Sequence, residues 1–169
     1  NTRALFYSGY DGSRINVIEF VTIANVGNVT DFGDLTNSGQ GPNKGIIASS
    51  TRGVIANNTN NTSRTNIIEY VTVGTAGNAT DFGDTSASKS NVESCCSSTR
   101  GIIAGGSTGG NGIDVIEYIT IANTGNTTDF GNLNVASEIG TGTSSNTLGV
   151  FAGGTTGGTR HDSIDQITI

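Results

Sequence analysis

The chain has 169 residues, 33% hydrophobic and 13% charged, with a net charge of −6 and a pI near 4.5. Its 26 glycines, single proline and lack of Met and Trp suit short strands and turns and exclude a helical bundle. No basic stripe is present to neutralise phosphates, which argues against nucleic-acid binding, and no apolar run approaches the roughly 18 residues of a membrane insertion.

The length fits one domain over residues 1–169. A chain that begins at Asn1 without Met or a leader pattern reads as a processed product or an excised piece of something longer.

Along the chain, one pattern returns. Arg3-Ala4-Leu5-Phe6 leads to Asn16-Val17-Ile18-Glu19-Phe20-Val21-Thr22-Ile23 and then to Gly27-Asn28-Val29-Thr30-Asp31-Phe32-Gly33-Asp34. The second copy runs Thr51-Arg52-Gly53-Val54-Ile55, Asn66–Val73, and Gly77-Asn78-Ala79-Thr80-Asp81-Phe82-Gly83-Asp84. The third runs Thr99-Arg100-Gly101-Ile102-Ile103, Asp114–Ile121, and Gly125–Asn132; a fourth starts at Gly149 and reaches Ile169. Glu19, Glu69, Glu117 and Asp165 mark the period, with spacings of 50, 48 and 48 residues. That period in short strands predicts an all-β propeller of four-stranded antiparallel blades, with repeats over about 1–35, 36–85, 86–133 and 134–169.

Within a unit, strand a is a short piece such as Gly45–Ser49 or Val92–Cys96, and strand b is Gly53–Ala56 or Gly101–Ala104. Strand c is the β-branched run Asn66–Val73, where Ile67, Glu69, Val71 and Val73 alternate with Ile68, Tyr70 and Thr72. Strand d is of the Thr80–Asp84 type. About 3.5 blades are thus expected, beginning in strand b and ending in strand c. They could close a strained ring, form part of a larger one, or pair with a second copy.

The paired glycines after strand b (Gly105-Gly106, Gly153-Gly154), the Val-Ile-Glu-Tyr strand and the Thr-Asp-Phe-Gly aromatic resemble kelch-type propeller repeats. The fuller pattern, Thr-Arg-Gly with Ala-Gly-Gly, then Glu-Tyr-(Val/Ile)-Thr and Gly-Asn-x-Thr-Asp-Phe-Gly, resembles repeats of marine bacteriophage (cyanophage) virion structural proteins. That resemblance implies a virion or extracellular place, a tail-fibre-like role and other fibre subunits as partners. The pattern departs at Asn57-Asn58, at Ser8-Gly9 and at Leu148, which stands in place of the Arg.

The a–b and c–d turns are nearly identical between units, whereas the b–c segments (Tyr10–Arg14, Asn57–Thr65, Gly105–Ile113, Gly153–Asp162) differ in length and chemistry. So do the d–a segments. Repetition is most simply explained by folding, and variable loops on a fixed scaffold by binding. The expected function is therefore a non-enzymatic module that contacts a host surface glycan or receptor. Its candidate ligand-binding residues are Tyr10, Asp11, Arg14, Asn60, Arg64, Asn111, Arg160, His161 and Asp162. The alternative is a self-assembling fibre subunit, a homo-oligomer joined through open blade edges.

Catalytic chemistry is not expected. Arg3, Arg52 and Arg100 recur with the Glu residues in every unit, which suits structural ion pairs or turn bonds. Asp31, Asp34, Asp81, Asp84 and Asp129 read as turn-bonding carboxylates rather than a calcium loop. Cys95 and Cys96 are adjacent and poorly placed to bridge each other, and with one histidine they build no zinc site. The lone His161 reads as a solvated loop residue. The glycine-rich loops lack the Lys-Ser/Thr of a phosphate cradle. No cofactor or metal is expected. The sequons at Asn28, Asn57, Asn60, Asn78 and Asn126 matter only in a glycosylating host.

Overall fold

A computed structural model describes residues 2–39, 44–59 and 63–169. Among them are sixteen strands and no helix. β1 (Arg3–Tyr10), β2 (Arg14–Thr22) and β3 (Thr30–Asp34) form the first sheet. β4 (Gly45–Ala48), β5 (Arg52–Ala56), β6 (Thr65–Thr72) and β7 (Thr80–Lys89) form the second, in sequence order. β8 (Glu93–Cys96), β9 (Arg100–Ala104), β10 (Ile113–Thr120) and β11 (Thr128–Ser137) form the third. The fourth contains β12 (Thr141–Ser144), β13 (Leu148–Ala152) and β16 (Ile164–Thr168). A separate hairpin pairs β14 (Thr155–Thr156) with β15 (Thr159–Arg160).

All pairings are antiparallel, and the register repeats: Arg3 faces Thr22, Arg52 faces Thr72 and Arg100 faces Thr120. The expected four-strand unit is present as such in the second and third sheets. One boundary differs. The fourth strand continues past Asp84 to Lys89, and past Asn132 to Ser137, because it rejoins its neighbour after a bulge with Thr65 opposite Lys89 and Ile113 opposite Ser137.

Each sheet packs on the next. Ile18, Phe32 and Leu35 meet Ile55 and Val71 between the first and second. Ile47, Val54, Ile68 and Phe82 meet Ile103, Ile119 and Ile121 between the second and third. Ile102, Ala104, Ile116 and Leu133 meet Phe151 between the third and fourth. Both faces of an interior sheet are therefore core, which explains apolar groups on both phases of the third strand. The short inner strands lie side by side: the Ser94 hydroxyl brackets both the amide and the carbonyl of Ile46, and Ser144 does the same to Cys96.

The recurring motifs have local causes. Arg3, Arg52 and Arg100 stack over Phe20, Tyr70 and Tyr118 at 4.5, 4.5 and 4.7 Å. Those rings meet Phe32, Phe82 and Phe130 edge-on at 5.9, 5.9 and 6.1 Å. In the fourth unit Leu148 and Gln166 stand at the Arg and Tyr positions, so the ladder is lost as a whole.

Charge pairing is not what the recurring Arg residues display. Instead, Arg3 and Arg52 donate to the carbonyls of Val73 and Ile121 in the following sheet. Glu69, Glu117 and Asp165 accept the backbone amides of Thr36, Ser86 and Asn134 from the preceding sheet. The Asp-Phe-Gly-Asp motif likewise acts through its main chain: the Asp34 and Asp84 amides donate to the Asn78 and Asn126 side chains. Gly77 and Gly125 donate to the Phe32 and Phe82 carbonyls at 2.7 Å. Gly33 and Gly83 are required here, because each has a positive φ and a Cβ would overlap the next unit's turn.

Candidate functional site

The candidate surface lies at the end of the strands that carries the b–c and d–a segments. Bridges Ser90–Ser107 and Glu138–Thr155 tie a d–a segment to the b–c segment of the next unit, so both kinds of loop share one end. The other end is occupied by the repeated turns and their inter-sheet bonds. Shallow grooves there, of about 360 Å³ beside Asn78 and 220 Å³ beside Asn126, are equivalent by repeat.

At the variable end, each loop is built differently. Tyr10 and Arg14 face each other across a tight hairpin, where the Asp11 carboxylate accepts the Ser13 amide at 3.1 Å and its hydroxyl at 3.2 Å. Tyr10 is 62% exposed. Arg64 reaches across to the third unit and donates its Nε to the Ser107 carbonyl at 2.9 Å. Asn111 stands exposed beside Gly157 of the β14–β15 turn, where Gly157 and Gly158 both take left-handed φ values. Arg160 closes that hairpin opposite Thr155, and Asp162 is exposed.

The structure thus brings Arg64, Asn111 and Arg160 onto one strip of successive, touching loops. Tyr10, Asp11 and Arg14 stand on their own hairpin. Asn60 lies outside the described residues.

His161 differs from its expected solvated state. It is half-buried, its Nδ1 lies 2.7 Å from Ser163 Oγ, and its Nε2 is buried with no partner. Its amide donates to the Gly154 carbonyl.

Beneath the loops runs a set of buried polar contacts that the sequence reading did not single out. Lys89 (0% exposed) pairs with Glu117 at 2.5 Å, and Thr127 Oγ1 donates to Glu117 at 2.7 Å. Burial opposes ionisation of Glu117, but the Lys89 ammonium and the Ser86 bonds outweigh it and hold the carboxyl below its ordinary value. Glu93 is pushed above its ordinary value by burial, against the Ser137 hydroxyl and Gly140 amide that favour its charge, with Asp165 adding repulsion. Asn57 donates to the Thr65 carbonyl and Thr85 hydroxyl, while the Oδ1 atoms of Asn57 and Asn58 are buried with no partner among the described residues. A signal was available. Lys89 stands where the other units have Gly39 and Ser137, and Asn57 keeps the left-handed φ of the Gly105 and Gly153 positions.

Among the described residues, no group of three His, Cys, Asp or Glu side chains could hold a metal. Cys95 is buried, with its thiol pushed up to about 12 by burial and by Cys96. The sequence matches no family model, and no curated protein is similar to it at a significant level.

Proposed function

We propose that the sheets are blades of a kelch-like β-propeller, and that the chain is a non-enzymatic binding module of a phage virion appendage of the tail-fibre kind. Its b–c and d–a loops contact a host surface glycan. The observation that carries this reading is the strip formed by Arg64, Asn111 and Arg160 on successive loops, each exposed and each different, over a scaffold whose other end is taken up by repeated bonds. Amide and guanidinium donors on adjoining loops suit sugar hydroxyls, and an exposed ring such as Tyr10 suits a sugar face.

Glycan-array binding by the intact chain, compared with an Arg64→Ala, Asn111→Ala, Arg160→Ala triple variant, tests it. Selective binding that the triple variant loses supports the reading. No bound glycan, or equal binding by the variant, overturns it.

A second reading, a self-assembling fibre or virion subunit, is favoured by the large apolar side chains left open on the end sheets: Phe6 at 50% and Ile164 at 71% exposure. Solution mass across a dilution series separates the two: a monomer at all concentrations removes the second.

A further inference from the structure

The first sheet presents a copy of the surface that the second and third sheets use to hold their predecessors, and no segment among the described residues covers it. Four independent features coincide there.

The first is apolar. Ile55, Val71 and Val73 of the second sheet are 1%, 2% and 4% exposed. Ile103, Ile119 and Ile121 of the third are 0%, 2% and 1% exposed. The shared register puts Phe6, Val21 and Ile23 at the same places in the first sheet, where Phe6 is 50% and Ile23 65% exposed.

The second is polar. Glu69, Glu117 and Asp165 each accept a backbone amide from the extension of the preceding fourth strand. Glu19 holds the same register, opposite Phe6 as Glu69 is opposite Ile55, and accepts no such amide among the described residues. The third feature is the Gly27-Asn28 turn. It repeats the turn that in the next two units binds the main chain of Phe32 and Asp34, and of Phe82 and Asp84.

The fourth is an open edge. β5, β9 and β13 each pair with a short inner strand, whereas β1 pairs with none among the described residues. In its place a groove of about 430 Å³ runs between β1 and β4, walled by Leu5, Tyr7, Ile46, Ile47, Gly53 and Val73.

In the third sheet, a single stretch of chain meets all four needs. The β7 strand offers the Phe82 carbonyl and Asp84 amide to the Gly125-Asn126 turn, gives the Ser86 amide to Glu117, and runs on to β8, which pairs with β9. We propose that the exposed face of the first sheet docks such a strap: an extended peptide of a further repeat of this type, continuous from a Thr-Asp-Phe-Gly fourth strand to an inner strand. The fourth sheet of a second copy is a poor occupant, because its three strands include no fourth strand to offer an amide to Glu19. This inference goes beyond the glycan reading and does not depend on it.

The probe is a fluorescent peptide with the sequence of residues 79–96, its two cysteines replaced by serine, titrated into the full chain and followed by anisotropy. Saturable binding is expected, weakened at least about tenfold by Phe6→Asp and by Glu19→Ala, and unchanged by Ile164→Asp on the opposite end sheet. Amides of β1 gain protection from hydrogen exchange when the peptide binds. Circular dichroism checks that each variant is folded, and Glu19→Gln supplies a milder change at the same atom. Absence of saturable binding to the folded chain overturns the proposal, as does binding that ignores both Phe6→Asp and Glu19→Gln. Self-association that Phe6→Asp abolishes and the peptide fails to displace assigns the face to a second copy and overturns it too.

Discussion

The two ends of the strands solve the same problem by opposite means. At the uniform end, the first sheet is fastened to the second, and the second to the third, by the same bonds: an Arg to a carbonyl, an Asn side chain to an amide, a glycine amide to a Phe carbonyl. At the variable end, each junction is its own construction. The buried Lys89–Glu117 pair serves one, and the bond from the Ser137 hydroxyl to the Gly153 carbonyl serves the next. The uniform bonds rest on main-chain geometry, so they tolerate any unit that keeps the spacing. The variable contacts rest on particular side chains in low-dielectric surroundings, where a mismatch is costly. Adhesion between units is thus shared out, leaving loop tips free to differ while the polar layer beneath them is individually matched.

The contrast can be broken most severely at Lys89. Lys89→Met leaves Glu117 buried without its counter-charge, and a loss of about 3–5 kcal/mol is expected in chemical denaturation. Adding Glu117→Leu should recover a large part of that loss, since an apolar pair avoids the unpaired charge. If Lys89→Met were neutral, the polar layer would not be individually matched.

Next comes Arg52→Ala, which removes both a stacked cation and a carbonyl bond for about 1–2 kcal/mol. Asn78→Ala and Asn126→Ala should each cost about 1 kcal/mol or less, because the bonds are exposed. Near-equal losses for the two Asn variants are the signature of the uniform end, and unequal ones would weaken the comparison.

The variable end has a pH signature. Glu93 binds its proton more tightly when folded, so its contribution to stability is full below the ordinary carboxylate range and declines as pH rises through its raised folded value. Glu117 has the opposite sign: its contribution is present above the ordinary range and is lost as pH falls through its lowered value. Glu93→Gln should flatten stability on the alkaline side of that range while leaving the acid limb in place, as read by thermal melts against pH. The smallest effect belongs to the loop tips. Arg160→Ala or Asn111→Ala should shift stability by no more than about 0.5 kcal/mol, so any change in ligand binding there is a surface effect.

Much of the sheet order was legible because the repeat appears several times in one chain. Glu69, Tyr70, Phe82 and Gly83 fall at fixed offsets, and the register reproduces them. The roles of those residues were less legible. Arg and Glu suggested ion pairs or turn bonds, but Arg52 and Glu69 bond backbone groups of a neighbouring sheet, a partner that spacing along the sequence does not reveal. Lys89 and Asn57 sit at positions where a glycine or serine serves elsewhere, so their partners depend on a neighbouring unit's chemistry. His161 was read from its loop context, whereas its ring is half-buried and bonded to Ser163. The grouping of Arg64, Asn111 and Arg160 follows from loops leaning forward onto the next unit, a tilt that no residue pattern encodes.

Two of the recurring bonds between units have a fixed sense: Arg reaches forward to the next sheet, and Glu takes an amide from the sheet behind. A gene duplication or deletion of one whole period therefore leaves two competent faces meeting at the new junction. An event out of phase by part of a period joins faces that share no bonding pattern. The chain can lengthen or shorten by inheritance only in steps of one unit, and each newly made unit is free to drift at its loop tips from the moment it arises.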